Sequence, residues 1–234
     1  GNLYFRIRYE RQIYDNNYYY SEWSNTVCVP VSFENGVLSV GCNHSVKTIV
    51  TSKATTKKDG QIYKKCSVCG AVTGKTVIAK ASNIKLSQTA YTYNGKVQKP
   101  SVTVKDSKGK ALKNGTDYTV SYPKGMKNVG KYTVKVTLKG NYSGSKSMTY
   151  NINPKGTGVS KVKAAKKGFK VTWKKQATQT TGYQVQYSTS SKFKKAKTVT
   201  ISKNKTTSKS VSKLSAKKKY YVRVRTYKTV KVNG

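Results

Sequence analysis

The 234 residues carry 47 Lys and Arg against seven Asp and Glu, a net charge of +40, and a single His. So few acids and one imidazole leave little from which to build an acid–base or triad site, and no stretch approaches the roughly 18 apolar residues that a membrane span needs. Short runs of Val, Ile, Thr and Tyr alternate instead with turn dipeptides (Asn35-Gly36, Asp59-Gly60, Asn94-Gly95, Asn114-Gly115, Asn233-Gly234), which is the pattern of all-β modules.

In chain order, residues 1–30 predict a hairpin. One strand runs from Leu3 to Glu10, a turn follows at Asp15-Asn16-Asn17, and a second strand runs from Tyr18 to Val27. Residues 31–80 form a small β-unit bearing Cys and His. Residues 81–154 form a third unit, opened by Ile84-Lys85-Leu86 and closed by Tyr150-Asn151-Ile152. Pro154 to Gly158 reads as a linker, and residues 155–234 are the last unit. Two segments repeat. Leu3 to Arg8 reads LYFRIR and Tyr220 to Arg225 reads YYVRVR, one offset of 217 carrying the match on to Asn233 over Asn16. The same β-unit therefore occurs twice, the first copy entered late and the second left before its final strand, as in a window on a longer repeat array.

The second unit holds the one chemical constellation. Cys42-Asn43-His44 and Cys66-Ser67-Val68-Cys69-Gly70 offer four soft ligands in two pairs. A C-x-x-C-G turn lets two thiolates reach one ion, and four Cys/His ligands suit a closed, structural, tetrahedral zinc. A hairpin of Val46 to Thr51 and Ile62 to Lys65 would bring the pairs together. Disulfides are the alternative, with Cys28 as a fourth thiol, and free thiols are a third.

The last unit resembles a fibronectin type III domain. Val159 to Ala164 suits its strand A, Phe169 to Trp173 its strand B with the core Trp, and Gly182 to Ser188 its strand C. Leu214 followed by Tyr220 is similar to its tyrosine corner, which implies a hydroxyl bonded back to the main chain. By the repeat, residues 1–30 resemble strands F and G of a preceding copy. Tyr20 to Ser24 is similar to the Trp-Ser motif of cytokine-receptor modules, which implies Arg6 or Arg8 stacked on Trp23. Residues 84–153 resemble an Ig-like repeat of multi-domain proteins from Gram-positive gut bacteria, carried by Tyr93 to Lys96, Gly115 to Tyr118 and Gly140 to Tyr142. The Cys/His segment is similar to a short, zinc-ribbon-like repeat of secreted proteins from such bacteria. Together these imply an all-β chain of tandem small β-sandwich modules with a Cys/His hairpin unit between them.

Charge is uneven: residues 1–34 have a net charge of −1 and the remainder +41, with 42 Lys against five Arg overall. Lys is a mobile, hydrated point charge, whereas Arg suits bidentate readout of phosphate or guanine. The expected function is a non-catalytic spacer or adhesion scaffold of a large secreted or wall-attached bacterial protein, docking on anionic cell-wall or host-glycan polymers. The alternative is a carbohydrate-binding accessory region of a larger glycosidase, with Tyr18, Tyr19, Tyr20, Tyr91, Tyr93 and Tyr187 as stacking candidates. Nucleic acid is disfavoured by the scarcity of Arg. The two acids beyond residue 60, Asp106 and Asp117, stand in turn sequences. The missing last strand implies an unpaired edge that residues 18–27 of another molecule could fill.

Overall fold

A computed structural model of the chain describes residues 2–8, 10–13, 17–24, 27–34, 37–40, 45–67 and 70–231. These residues form twenty strands and no helix. The fold divides into two compact units: residues 1–82 with 105–117 and 138–144, and residues 83–104 with 118–137 and 145–234.

In the first unit, β1 (Asn2–Phe5), β2 (Glu10–Ile13), β3 (Asn17–Tyr20), β4 (Val27–Glu34) and β5 (Val37–Val40) form two small sheets, β1-β4-β5 and β2-β3. The β2–β3 ladder pairs Glu10 with Tyr20, and the β1–β4 ladder pairs Phe5 with Val27. One side thus advances five residues while the other advances seven. The predicted hairpin is present but not continuous. Its outer strand carries two extra residues between Tyr20 and Val27, and the strand expected from Leu3 to Glu10 breaks at residues 6–8, which have no strand geometry. Such an insertion bends a ladder without ending it. Ile7 and Ser24 bridge the break: the Ser24 amide donates to the Ile7 carbonyl (2.9 Å), and the Ile7 amide donates to Ser24 Oγ (3.0 Å).

A meander follows, of β6 (Val46–Ser52), β7 (Gly60–Cys66) and β8 (Val72–Ile78). The Asp59-Gly60 pair is not the hairpin turn its sequence suggests. Gly60 opens β7 where a Cβ would stand 2.3 Å from the Ala54 amide nitrogen, so the requirement is close backbone approach. Asp59 reaches along the chain, its Oδ1 accepting the Lys80 amide at 2.7 Å.

The second unit contains β9 (Asn83–Leu86), β10 (Ala90–Thr92), β11 (Val102–Lys105), β12 (Tyr118–Ser121), β13 (Gly130–Leu138) and β14 (Ser145–Asn153), apart from the few residues of β11 and β13 that fall in the first. The sheet order is β10-β14-β13-β12, with β11-β9 as a separate pair. Val134 and Val136 alternate with exposed Lys135 and Thr137, as the period of two requires. Val134, Tyr150 and Ile152 form a small core flanked by Tyr91, Tyr93 and Val102. Tyr150 donates its hydroxyl to the Gln98 carbonyl (2.9 Å), and burial, followed by the neighbouring Tyr132, Tyr91 and Tyr122, pushes it up to about 12.

The same unit holds a two-sheet sandwich. β15 (Val159–Ala165), β16 (Gly168–Trp173) and β19 (Ser208–Val211) make one sheet; β18 (Lys197–Ile201), β17 (Gly182–Ser188) and β20 (Tyr221–Tyr227) make the other. Phe169, Val171 and Trp173 face Tyr183, Val185 and Tyr187 across the core. Each such side chain contributes about 1.5–3 kcal/mol when fully buried. Trp173 lies 5.3 Å from Tyr183, whose hydroxyl accepts the Gln176 amide (2.8 Å) and donates to the Asn204 carbonyl (3.0 Å). The expected strands A, B and C match β15, β16 and β17 to within a residue at each end. The expected tyrosine corner is only half present: Tyr220 and Leu214 pack on the core, with the Tyr220 ring 6.4 Å from Tyr187. No hydrogen bond is recorded for its hydroxyl among the described residues.

Candidate functional site

The four proposed zinc ligands divide. Cys42, His44 and Cys69 lie outside the described residues, while Cys66 ends β7 and is buried, 1% exposed. The main chain at Cys66 has the form a knuckle needs. Its amide donates to the Ala71 carbonyl (2.8 Å), its carbonyl accepts the Gly70 amide (3.1 Å), and Gly70 takes a φ of +75°. The expected hairpin brings the two chain segments together. Val46 stands opposite Cys66, and Ser67 donates from both its amide (2.9 Å) and its hydroxyl (3.0 Å) to the Ser45 carbonyl. The neighbours of His44 and Cys66 are therefore in direct contact. Cys28 stands opposite Tyr4 in the β1–β4 ladder.

Asp106 and Asp117 are engaged with backbone. Asp106 is 6% exposed, and its Oδ1 accepts the amides of Lys108 and Lys110, each at 2.9 Å. Asp117 Oδ2 accepts the Lys113 amide at 2.8 Å. Asp106 is the Asx-type anchor its turn sequence implies, whereas Asp117 bonds back across its turn to an amide four residues earlier. Burial, followed by the Asp117 and Asp106 charges, raises the pKa of the nearby Tyr142 hydroxyl.

Of the aromatic candidates for sugar stacking, Tyr187 is buried in the sandwich core, and Tyr91 and Tyr93 are half-buried against the Val134–Tyr150–Ile152 core. Their rings are occupied by protein contacts, Tyr91 meeting Tyr150 edge-on at 5.7 Å. This corrects the expectation for those three; β-propensity and burial explain them. The side chains of Tyr18, Tyr19 and Tyr20 lie outside the described residues. The expected Arg–Trp stack is found, with Arg8 Cζ 4.6 Å from the Trp23 ring centroid.

A feature not anticipated from the sequence covers the outer face of the β18-β17-β20 sheet. Arg223 Nε donates to Gln186 Oε1 and Arg225 Nε to Gln184 Oε1, both at 2.8 Å. The same glutamines donate to Thr198 (3.0 Å) and Thr200 (3.3 Å). Arg223 also lies 4.1 Å from the Phe193 ring centroid. Alternating Gln on one strand and Arg on another was the available signal. These glutamines occupy the arginines without neutralising them.

That absence of neutralisation extends across the second unit. Its sequence contains 31 Lys and Arg and no Asp, Glu or His. Such a surface attracts anions over the Debye length, about 8–10 Å at ordinary salt.

The strand succession of the sandwich, its core Trp and its half-formed tyrosine corner all point one way. Residues 153–233 match the family model of the fibronectin type III domain. The chain thus contains a fibronectin type III domain within an all-β architecture of small modules. Among solved structures, the crystal structure of the chicken CNTN1 FN1-FN3 domains is similar at 13% identity with a TM-score of 0.31, covering 82% of this chain and 88% of that one. No curated protein matches the chain. No helix of the described residues is long and apolar enough to cross a membrane. In the fibronectin type III domain, Trp173 is the core Trp, 3% exposed, and Arg223 and Arg225 sit on the solvent face of β20.

Proposed function

We propose that this chain is a non-catalytic spacer and adhesion segment of a large secreted or wall-attached bacterial protein, and that it docks on anionic cell-wall or host-glycan polymers through lysine-rich surfaces. The observation that carries the reading is the second unit with 31 cationic side chains and no carboxylate. Lysine ammonium groups with no carboxylate in their own unit are available to phosphate, sulfate or carboxylate on a polymer, and releasing that polymer's counterions favours binding. The engagement of Asp106 and Asp117 with backbone amides supports the non-catalytic part.

The test is retention on purified Gram-positive cell walls, before and after chemical removal of their anionic polymers. Retention on intact walls and loss on stripped ones is expected. Equal retention on both would overturn docking through charge.

We propose further that the Cys/His unit holds a structural zinc through Cys42, His44, Cys66 and Cys69. The Gly70 turn and the Ser45–Ser67 contact are compatible with this donor set. A bound zinc would tie the two ends of the β6–β7 hairpin and, with four protein ligands, leave no open position for water. Native mass spectrometry should show one zinc per chain, lost with a chelator. A mass lower by two hydrogen atoms per bridge, with no zinc, would establish disulfides instead.

A further inference from the structure

One end of the fibronectin type III sandwich is built from three loops: residues 166–167 between β15 and β16, 189–196 between β17 and β18, and 212–220 between β19 and β20. Nine of these nineteen residues are Lys, and all nine are exposed. The loops converge on two adjoining clefts of about 400 and 470 Å³, which share Leu214, Ser215 and Tyr220 as a common wall. Lys194, Lys195 and Lys213 rim the first; Lys167, Lys217 and Lys218 rim the second.

The backbone adds an independent observation. Six non-glycine residues of the described chain have positive φ, and five lie in these loops. Four of the five are lysines: Lys167 (45°), Lys195 (51°), Lys213 (59°) and Lys217 (55°). That region disfavours side chains with a Cβ, and among non-glycine residues Asn and Asp tolerate it best. Lysine therefore stands at four positions where local sterics favour Gly or Asn, and strained backbone of this kind gathers where a site needs it.

The loops are also fastened. The Leu214 amide donates to the Lys167 carbonyl (2.9 Å), Ser188 Oγ donates to the Lys194 carbonyl (2.8 Å), and the Phe193 amide donates to the Ser190 carbonyl (2.9 Å). Arg223 clamps Phe193 from the adjoining sheet face. Fixed backbone carrying mobile ammonium heads lowers the ordering cost of binding while letting each head find an oxyanion.

We infer that this lysine-rimmed pole is the specific anion-binding site of the chain, and that it takes a linear polymer of repeating phosphate or sulfate groups, successive oxyanions occupying the two clefts. The inference rests on the docking reading above and deepens it by assigning the charge that matters to one end of one domain.

The experiment uses the full chain and two polymers, poly(glycerol phosphate) and heparin, which separate a wall source from a host-glycan source. A first variant combines Lys167→Asn, Lys195→Asn, Lys213→Asn and Lys217→Asn. A second, at ordinary backbone angles in the same loops, combines Lys192→Gln, Lys194→Gln, Lys218→Gln and Lys219→Gln. A control removes equal charge from strand faces: Lys161→Gln, Lys163→Gln, Lys170→Gln and Lys209→Gln. Each pole variant should bind at least one polymer about tenfold more weakly, and its salt slope should fall by about one per lysine removed. The control should stay within about twofold, and the Asn variant should unfold no earlier than the parent because its backbone strain is relieved. Should the Asn variant not fold, the Gln variant alone decides. Equal losses in pole and control variants would overturn the site while leaving diffuse docking intact. Failure of the parent chain to bind either polymer would overturn the docking reading itself.

Discussion

Gly182 and Gly168 mark the places where the sandwich tolerates no side chain. A Cβ on Gly182 would stand 2.0 Å from the Ile201 carbonyl oxygen, and one on Gly168 2.2 Å from that of Val211. Both obstacles are backbone of a neighbouring strand, which cannot swing aside. Gly182→Ala should therefore cost about 1–3 kcal/mol of overpacking, seen as a lower urea midpoint. Gly156→Ala meets nothing within 4 Å and should leave the midpoint unchanged or slightly raised. Arg8 and Trp23 should couple by about 0.5–1 kcal/mol in a double-mutant cycle, the range for an exposed cation–π pair. Tyr150 supplies a pH test. Its ionisation is raised to about 12 by burial, so above about pH 10 the unfolded chain loses this proton before the folded one does. Its contribution is fully present below pH 10 and is lost as pH rises toward 12. The stability difference between the parent and Tyr150→Phe should be constant below pH 10 and shift against the parent above it. A difference that stays flat to pH 12 would contradict the buried placement.

At the scale of elements, much was legible and the rest fails for identifiable reasons. Strands β16 and β17 were readable because Val171, Trp173, Tyr183 and Val185 alternate with polar residues and face the core. Asp106 was readable as a turn anchor because Asx chemistry is local, while Asp117 reaches back to the Lys113 amide instead. The slip in the first hairpin was not, since ladder register depends on which partner backbone is reached, and the bridge from Ile7 to Ser24 spans 17 residues. Gly60 was misread for a similar reason: its constraint comes from Ser52 to Ala54, not from its own dipeptide. Three of the tyrosines offered as sugar platforms, Tyr91, Tyr93 and Tyr187, were misassigned because a Tyr in a strand has the same sequence whichever way it faces. Tyr91 and Tyr93 face the small core of their sheet, and Tyr187 the sandwich core. For the candidate site, the total positive charge was plain from composition. Its concentration at one pole was not, because Lys167, Lys195 and Lys217 meet only through the return of three separate loops to one end. A local signal did exist, lysine runs at or one residue from strand ends at 166–167, 194–195 and 217–219.

The whole molecule carries its charge in an unusual arrangement, and this has a consequence for stability. The second unit has no side chain of a type that titrates between about pH 3 and 8, since it contains no Asp, Glu, His or Cys. Acid denaturation acts mainly through carboxylates and buried histidines. In a Trp23→Phe background, Trp173 fluorescence reports the fibronectin type III core alone. Its urea midpoint should be the same from pH 3 to pH 8, and a marked fall toward pH 3 would contradict this. Self-repulsion among 31 cations should also make that midpoint rise with added salt.

The central claim is that these cations form a working docking device for anionic polymers. The most direct measurement is the binding constant of the full chain for poly(glycerol phosphate) across a series of salt concentrations. The account predicts that the logarithm of the constant falls linearly with the logarithm of salt concentration, with a slope of several units, as several contacts release their counterions. A constant that does not change with salt, or no binding at the lowest salt, would contradict it.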